Sequence, residues 1–204
     1  MDTTRNTALQ RVFRCAEAAF QDAAAPPPGS VALAARVFGA LVRAPGVPRP
    51  GPAPREPNTL PACAHLPRAI DEATRHGGST AQLARALAAA APGFTWERRA
   101  GAASEAPDFF DGHANAVLAG PKGLEIRDDV LVGISLMAPR IQYPDHQHPP
   151  EEFYVVLSPG QWRQADGAWH EPGPGGVVHN PPGIVHAMRS GEAPLLALWF
   201  LWIG

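Results

Sequence analysis

The apolar positions of this chain change their period near residue 110. Before it, Leu9, Val12, Phe13, Ala16 and Phe20 recur at three- and four-residue steps, the spacing that gathers side chains on one face of a helix. The pattern predicts a helix over residues 4–23, capped by Thr3 or Thr4 and ended by Pro26, Pro27, Pro28 and Gly29. Ser30 is placed to cap a second helix, VALAARVFGALVRA, which stops before a Pro- and Gly-rich loop from Pro45 to Pro57. A third, CAHLPRAIDEATRH, has Pro61 near its start, Pro67 inside it as a kink or restart, and Gly77 and Gly78 as its stop. Ser79 is placed to cap a fourth, TAQLARALAAAA, ended by Pro92 and Gly93.

After residue 110 the apolar runs shorten and fill with Val, Ile, Leu and aromatic residues between Gly, Pro and Asp turns. NAVLAG, DVLVGISLMA, EEFYVVLS, QWRQADGAWHE, GGVVHN, IVHAMRS and PLLALWFLW read as strands at the spacing of an antiparallel sandwich or barrel. ADGA, from Ala165 to Ala168, is a hairpin turn signal. The expected fold is α+β: a helical N-terminal layer over residues 1–105 packed on an antiparallel β-domain over 106–204.

Composition narrows the function classes. With 45% hydrophobic residues in 204, the chain can bury a full core. A formal charge of −2 carries no excess of base for nucleic acid or an anionic membrane. The N-terminus lacks the apolar core of a secretory signal, and the longest apolar run, Leu195 to Ile203, is too short to span a bilayer. A cytoplasmic protein, monomer or homodimer, is the expectation. Cys15 and Cys63 have no partner at metal-binding spacing and read as reduced helix-packing residues.

The chemistry concentrates in DHQHPPEEFYVVLSPG, from Asp145 to Gly160. On a strand, the two-residue period puts His146 and His148 on one face, and Glu152 and Tyr154 share that parity if Pro149 and Pro150 leave the register intact. Glu151 and Phe153 then turn away. His186, on a later strand, could run beside the first. A lone strand histidine is more often packing or surface than ligand. Three imidazoles and a carboxylate together make a nitrogen-rich set suited to one divalent ion, zinc, iron(II), manganese, cobalt or nickel, with positions left for a substrate.

HQHPPEE followed by GGVVHNPPGIVH resembles the two motifs of the cupin superfamily, the second as Gly175, Pro181, Gly183 and His186. That resemblance implies a double-stranded β-helix barrel. The first motif departs at its flanks: Arg140 and Pro159 stand where it has glycines, which bears on turn geometry. YPDHQHPPEEFYVVLS with PPGIVHAM is more specifically similar to the cupin-type bacterial dimethylsulfoniopropionate lyases. These carry a tyrosine two residues after the glutamate and, in some members, another three before the first histidine, as Tyr154 and Tyr143 stand here, the only tyrosines in the chain. The resemblance implies a lyase that releases dimethyl sulfide and acrylate from a carboxylate bearing a sulfonium group. In it His146, His148, Glu152 and His186 hold the metal, Tyr154 is the base and Tyr143 positions substrate or shares that role.

Tyr143 has the wrong parity for the face of His146 and reaches it only through a bend that Pro144 could supply. Trp199 and Trp202 are candidates by type for holding the sulfonium. His170 and His179 read as surface residues and His113 as an entrance residue. An iron(II) dioxygenase and a non-catalytic small-molecule-binding cupin are the competing readings of the same motifs.

Overall fold

The computed structural model describes residues 7–43, 56–102 and 107–204. Thr3, Thr4 and most of the Pro45–Pro57 loop lie outside them. Helix α1 (Thr7–Gln21) buries the expected face of Leu9, Val12, Phe13, Ala16 and Phe20. Helix α2 (Pro28–Arg43) starts two residues before Ser30. Proline fits a first turn because the amide hydrogen it lacks has no partner there. Ser30 is therefore inside the helix, its hydroxyl donating back to the Pro27 carbonyl at 2.7 Å, and does not cap it.

Pro67 restarts rather than kinks the third segment: a 3-10 turn over Pro61–His65 gives way to α3 (Leu66–His76) with proline in its first turn. Helix α4 (Gly78–Ala90) also begins before its expected cap. Gly77, at φ 86°, takes the capping position and Ser79 falls within the first turn. A short α5 (Pro107–Gly112) was too brief to show a period in the sequence. No helix among the described residues is long and apolar enough to cross a membrane.

The strands form two sheets. The larger has the order β1 (Trp96–Glu97), β2 (His113–Gly120), β4 (Val130–Met137), β10 (Leu195–Trp202), β6 (Glu152–Val156), β8 (Val177–Asn180), with β3 (Glu125–Ile126) parallel to β2. The smaller runs β5 (Gln142–His146), β9 (His186–Arg189), β7 (Gln161–Gln164). ADGA does turn the chain: Trp162 and His170 exchange backbone bonds of 2.9 Å, and Gly167 donates to Gln164 at 3.0 Å. The return is a single bridge rather than a second strand.

Alternation along the larger sheet divides it between two cores. Phe153, Val155, Leu198 and Phe200 point outward into the helices, where Phe38 meets Phe153 and Phe200 at ring-centre distances of 5.8 and 5.3 Å. Tyr154, Val156 and Ala197 point inward against Tyr143, Trp162 and Met188 of the smaller sheet. The α+β expectation holds, with antiparallel sheets facing each other as the cupin resemblance implies. The helices back the larger sheet, and the site lies on its other face.

Arg140, standing at a motif glycine, has φ 61°. The left-handed turn is thus kept without the residue that takes it at no steric cost, held by a backbone bond from Arg140 to Gly191 (2.8 Å) and an exposed pair with Glu192. Left-handed backbone costs an L-residue roughly 1–2 kcal/mol, and glycine returns part of that as unfolded-state entropy. Arg140→Gly is expected to stabilise the protein by about 1 kcal/mol in urea denaturation; a loss of stability would show that the arginine side chain outweighs its strain.

Candidate metal centre and cavity

His146 closes β5 and His186 opens β9, and the two are directly paired across the smaller sheet with rings 4.1 Å apart. Two residues after His186, Met188 pairs with Tyr143, so Pro144 and Asp145 of β5 oppose the single Ala187 of β9. This bulge lies at Pro144 and Asp145, and it turns Tyr143 to the same side as His146 despite their opposite parity.

His148 is not on the strand. The chain leaves β5 after His146, passes Pro149 and Pro150, and enters β6 in the other sheet. Two successive prolines remove two amide donors and cannot continue a ladder. The expected unbroken register from His146 to Tyr154 is therefore wrong. The side chains converge because the sheets face each other, with Glu152 and Tyr154 on the inner face of β6.

Each of the three imidazoles is oriented by its own backbone. Nδ1 of His146, His148 and His186 lies 2.9, 2.8 and 2.9 Å from the carbonyls of Pro144, Pro150 and Ile184. With Nδ1–H donating, each Nε2 lone pair is free to bind a cation. Nε2 of His148 and of His186 each stand 3.3 Å from Glu152 Oε2. His186 Nε2 is buried with no hydrogen-bond partner among the described residues. One ligand atom each from His148, Glu152 and His186 fall within 4.8 Å of one another, near the roughly 4.4 Å limit for two ligands about 2.2 Å from one ion. His146 falls outside that trio, its ring 4.1 Å from that of His186. An orphaned buried nitrogen beside a carboxylate and two more imidazoles fits a divalent ion.

Glu152 is further fixed by Asn180, which donates to Oε2 at 2.8 Å and is itself held by Gln164 at 2.6 Å. Burial pushes the Glu152 carboxyl up, but His148 and His186 outweigh it and bring it down to about 2. Burial, then the neighbouring His186, takes His146 down to about 4. For His148 burial acts downward and is overcome by Glu152, leaving it raised.

The signs predict acid sensitivity of the metal-free protein. Between pH 6.5 and about 4 an unfolded chain protonates His146 while the folded one does not, and between 4.5 and about 2 the same holds for Glu152. Stability from both is present above those windows and lost through them on acidification. The His148 contribution has the opposite sign, full below 6.5 and lost as pH rises through its raised value. Urea midpoints of chelator-treated protein should therefore fall steadily below pH 6.5; equal midpoints at 6.5 and 4.5 would contradict this.

A cavity of about 270 Å³ opens beside these ligands, lined by Tyr143, Tyr154, Arg99, Trp199, Met188 and Leu131 among others. Tyr154 is buried, and burial, followed by the Glu152 charge and Tyr143, drives its hydroxyl well above the ordinary phenol value. The Tyr143 hydroxyl accepts from Asn115 at 3.2 Å, and Asn115 accepts from Ser135 at 2.8 Å. Trp199 pairs with Tyr154 across β10 and β6 and lies over Gly133, where a Cβ would fall 2.1 Å from the indole. Trp202 is elsewhere, beneath Arg36 with its ring N–H on Gly204.

The remaining candidates separate. His113 is no entrance residue: fully buried, it accepts from the Arg99 amide at 2.8 Å and stacks on Phe109 at 3.8 Å. His170 is exposed. His179 is partly buried and bonded to Glu151 at 2.7 Å, outside the ligand set. Arg99, Asn115, Ser135 and Asn180 were missed; each sits singly in a stretch whose period reads as strand or turn.

A family profile described as dimethylsulfoniopropionate lyase matches residues 35–197. DddL of Cereibacter sphaeroides, named as a dimethylsulfoniopropionate lyase, is 33% identical over 151 residues, covering 74% of this chain and 62% of its own. The dimethylsulfoniopropionate lyase DddQ of Ruegeria pomeroyi is 37% identical over 100 residues, 48% of each chain. The crystal structure of DddQ from Ruegeria pomeroyi DSS-3 superposes with a TM-score of 0.68 at 27% identity, covering 94% of this chain and 91% of that one. By these alignments the chain spans about half to two thirds of the length of the curated relatives it matches.

Proposed function

The chain belongs to the dimethylsulfoniopropionate lyase family, and from that premise we propose that it cleaves dimethylsulfoniopropionate to dimethyl sulfide and acrylate. The observation that carries this reading is the convergence of Tyr154, two residues after Glu152, on one small cavity with Glu152, His146 and His148, where Glu152 and His148 also group with the buried His186. A base removes a proton from the carbon next to the carboxylate. The carbon–sulfur bond breaks with its electron pair leaving on sulfur as dimethyl sulfide, and the double bond of acrylate forms.

The difficulty is that this proton is barely acidic, because its removal loads a second negative charge on the carboxylate. A zinc, iron(II), manganese, cobalt or nickel ion held by His146, His148, Glu152 and His186 would supply a Lewis acid for that charge and offset the Glu152 charge, which after burial does most to keep Tyr154 protonated. Tyr154 is the base, since a phenolate is a stronger base than any carboxylate and the hydroxyl faces the cavity. Tyr143, fixed through Asn115 and Ser135, positions the substrate. Trp199 offers an aromatic face to the sulfonium.

The test is to add dimethylsulfoniopropionate to protein loaded in turn with each of these metals and to assay headspace dimethyl sulfide and acrylate. Release of both in equal amounts without oxygen supports the lyase. Absence of both with every metal refutes it, and turnover that requires oxygen points to a dioxygenase.

A further inference from the structure

Glu152 and His186 approach each other from opposite sheets, and each has a carboxamide as its direct cross-strand neighbour. Glu152 of β6 is paired with Asn180 of β8, and His186 of β9 with Gln164 of β7. Directly opposed residues of an antiparallel pair stand side by side on one face, so both amides lie next to the ligands. They meet between the sheets: Gln164 Nε2 donates to Asn180 Oδ1 at 2.6 Å, and Asn180 Nδ2 donates to Glu152 Oε2 at 2.8 Å. We propose that Gln164 and Asn180 are positioning residues for the metal centre, an amide bridge that sets the Glu152 carboxylate against His148 and His186 before an ion is bound. The inference rests on the ligand set of the lyase reading and not on its reaction.

The polarity of the bridge is fixed at its far end. Gln164 Nε2 also donates to the main-chain carbonyl of His179, a group that can only accept. That contact decides which end of the Gln164 amide is the nitrogen. Its second hydrogen then needs an acceptor, which makes Oδ1 the atom that Asn180 turns toward Gln164. Nδ2 of Asn180 is left facing Glu152, where an ionised acceptor gives the stronger kind of hydrogen bond. The series from main chain to ligand runs in one direction and cannot reverse, because the carbonyl has no hydrogen to give.

Held in this way, one oxygen serves three neighbours. Oε2 accepts from Asn180 and lies 3.3 Å from Nε2 of His148 and from Nε2 of His186. A glutamate side chain otherwise turns among several rotamers, and an ion that had to select one would bind more weakly. Here that freedom is surrendered on folding: Asn180 is 1% exposed and Glu152 3%, and their bond forms away from solvent. Gln164 belongs to the smaller sheet, with His186, whereas Asn180 belongs to the larger, with Glu152. The bridge therefore fixes the spacing of two ligands that no single strand could set.

The test measures zinc affinity by competition with a chromophoric chelator, and the absorption bands of the cobalt(II)-loaded form, in the full chain as wild type, Asn180→Leu, Gln164→Met and the double variant. Outer partners of metal ligands are worth about 10- to 100-fold in affinity. Asn180→Leu should weaken zinc by about 10-fold or more, and Gln164→Met, which lets Asn180 turn, by a smaller factor. Adding Gln164→Met to Asn180→Leu should cost nothing further, since the path through Asn180 is already cut. The cobalt bands should shift in both single variants, which lost packing alone would not cause. Wild-type affinity and bands in Asn180→Leu overturn the assignment, and so do effects that multiply in the double variant. Should Asn180→Leu fail to fold, Gln164→Met decides, its residue being half-buried at a strand end: wild-type affinity and bands there overturn the bridge. A wild type that binds neither zinc nor cobalt removes the ligand set and the inference with it. Dimethyl sulfide release by the wild type, loaded in turn with each metal, is scored separately. If it is absent while the variants behave as expected, the lyase reading falls and the bridge stands; if it is present while they match the wild type, only the bridge falls.

Discussion

Tyr154→Phe is expected to lower the rate of dimethyl sulfide release by about 1,000-fold while metal content stays at the wild-type level. General-base catalysis contributes on the order of 100- to 10,000-fold. The middle of that range applies here because the carbon acid is weak and water is a poorer base than a phenolate. Phenylalanine keeps the ring that packs on Trp162 at 6.2 Å and beside Trp199, so little packing is lost. Removing the hydroxyl also removes its hydrogen bond to the Glu152 carboxylate, and folding stability should fall by about 1 kcal/mol. The discriminating measurement is the kcat and KM pair beside the metal content. A fall confined to kcat identifies the base, whereas a rise in KM with kcat intact would make Tyr154 a binding residue and shift the proton transfer to Tyr143.

His186→Ala is the second. It removes a ligand from β9, leaves Glu152 with His148 as its one remaining imidazole partner, and opens a void where the ring was 3% exposed. Metal content after dialysis should drop below a tenth of wild type, with activity lost in proportion. Because the Asn180 bond to Glu152 survives, the fold should persist in circular dichroism. Retention of a full equivalent of metal would remove His186 from the ligand set and leave the orphaned nitrogen unexplained.

What could be read in advance, and what could not, divides along a physical line. The helices and strands follow from apolar period, because burial of one face is what sets that period. The caps at Ser30 and Ser79 were misplaced by three and two residues, since proline and glycine just upstream start a helix as readily as a serine does. His146, His148, Glu152, Tyr154 and His186 stood out because polar groups are rare in apolar strands. Their convergence was read for the wrong reason, as parity along one strand, when Pro149 and Pro150 send the chain from one sheet to the other. Tyr143 depended on a bulge that only the pairing with β9 reveals. Arg99 and Asn115 reach the cavity through tertiary packing alone: β1 was too short to recognise and nothing local marks either residue.

The placement of the proposed ligands on both sheets has a consequence for how much folded protein persists. His146 and His186 belong to the smaller sheet and Glu152 to the larger, so an ion held among them would tie together two halves that otherwise meet through side-chain packing and bonds such as Asn115–Tyr143 and Gln164–Asn180. Its occupancy then adds to folding free energy, about 2.7 kcal/mol when free metal is 100 times the dissociation constant. In an unfolded chain the ligands are scattered over forty positions and compete poorly for the same ion. Cells starved of metal would therefore hold less of this protein as well as less active protein, because the empty form opens more often to proteases. Abundance would follow metal supply without any change in transcription.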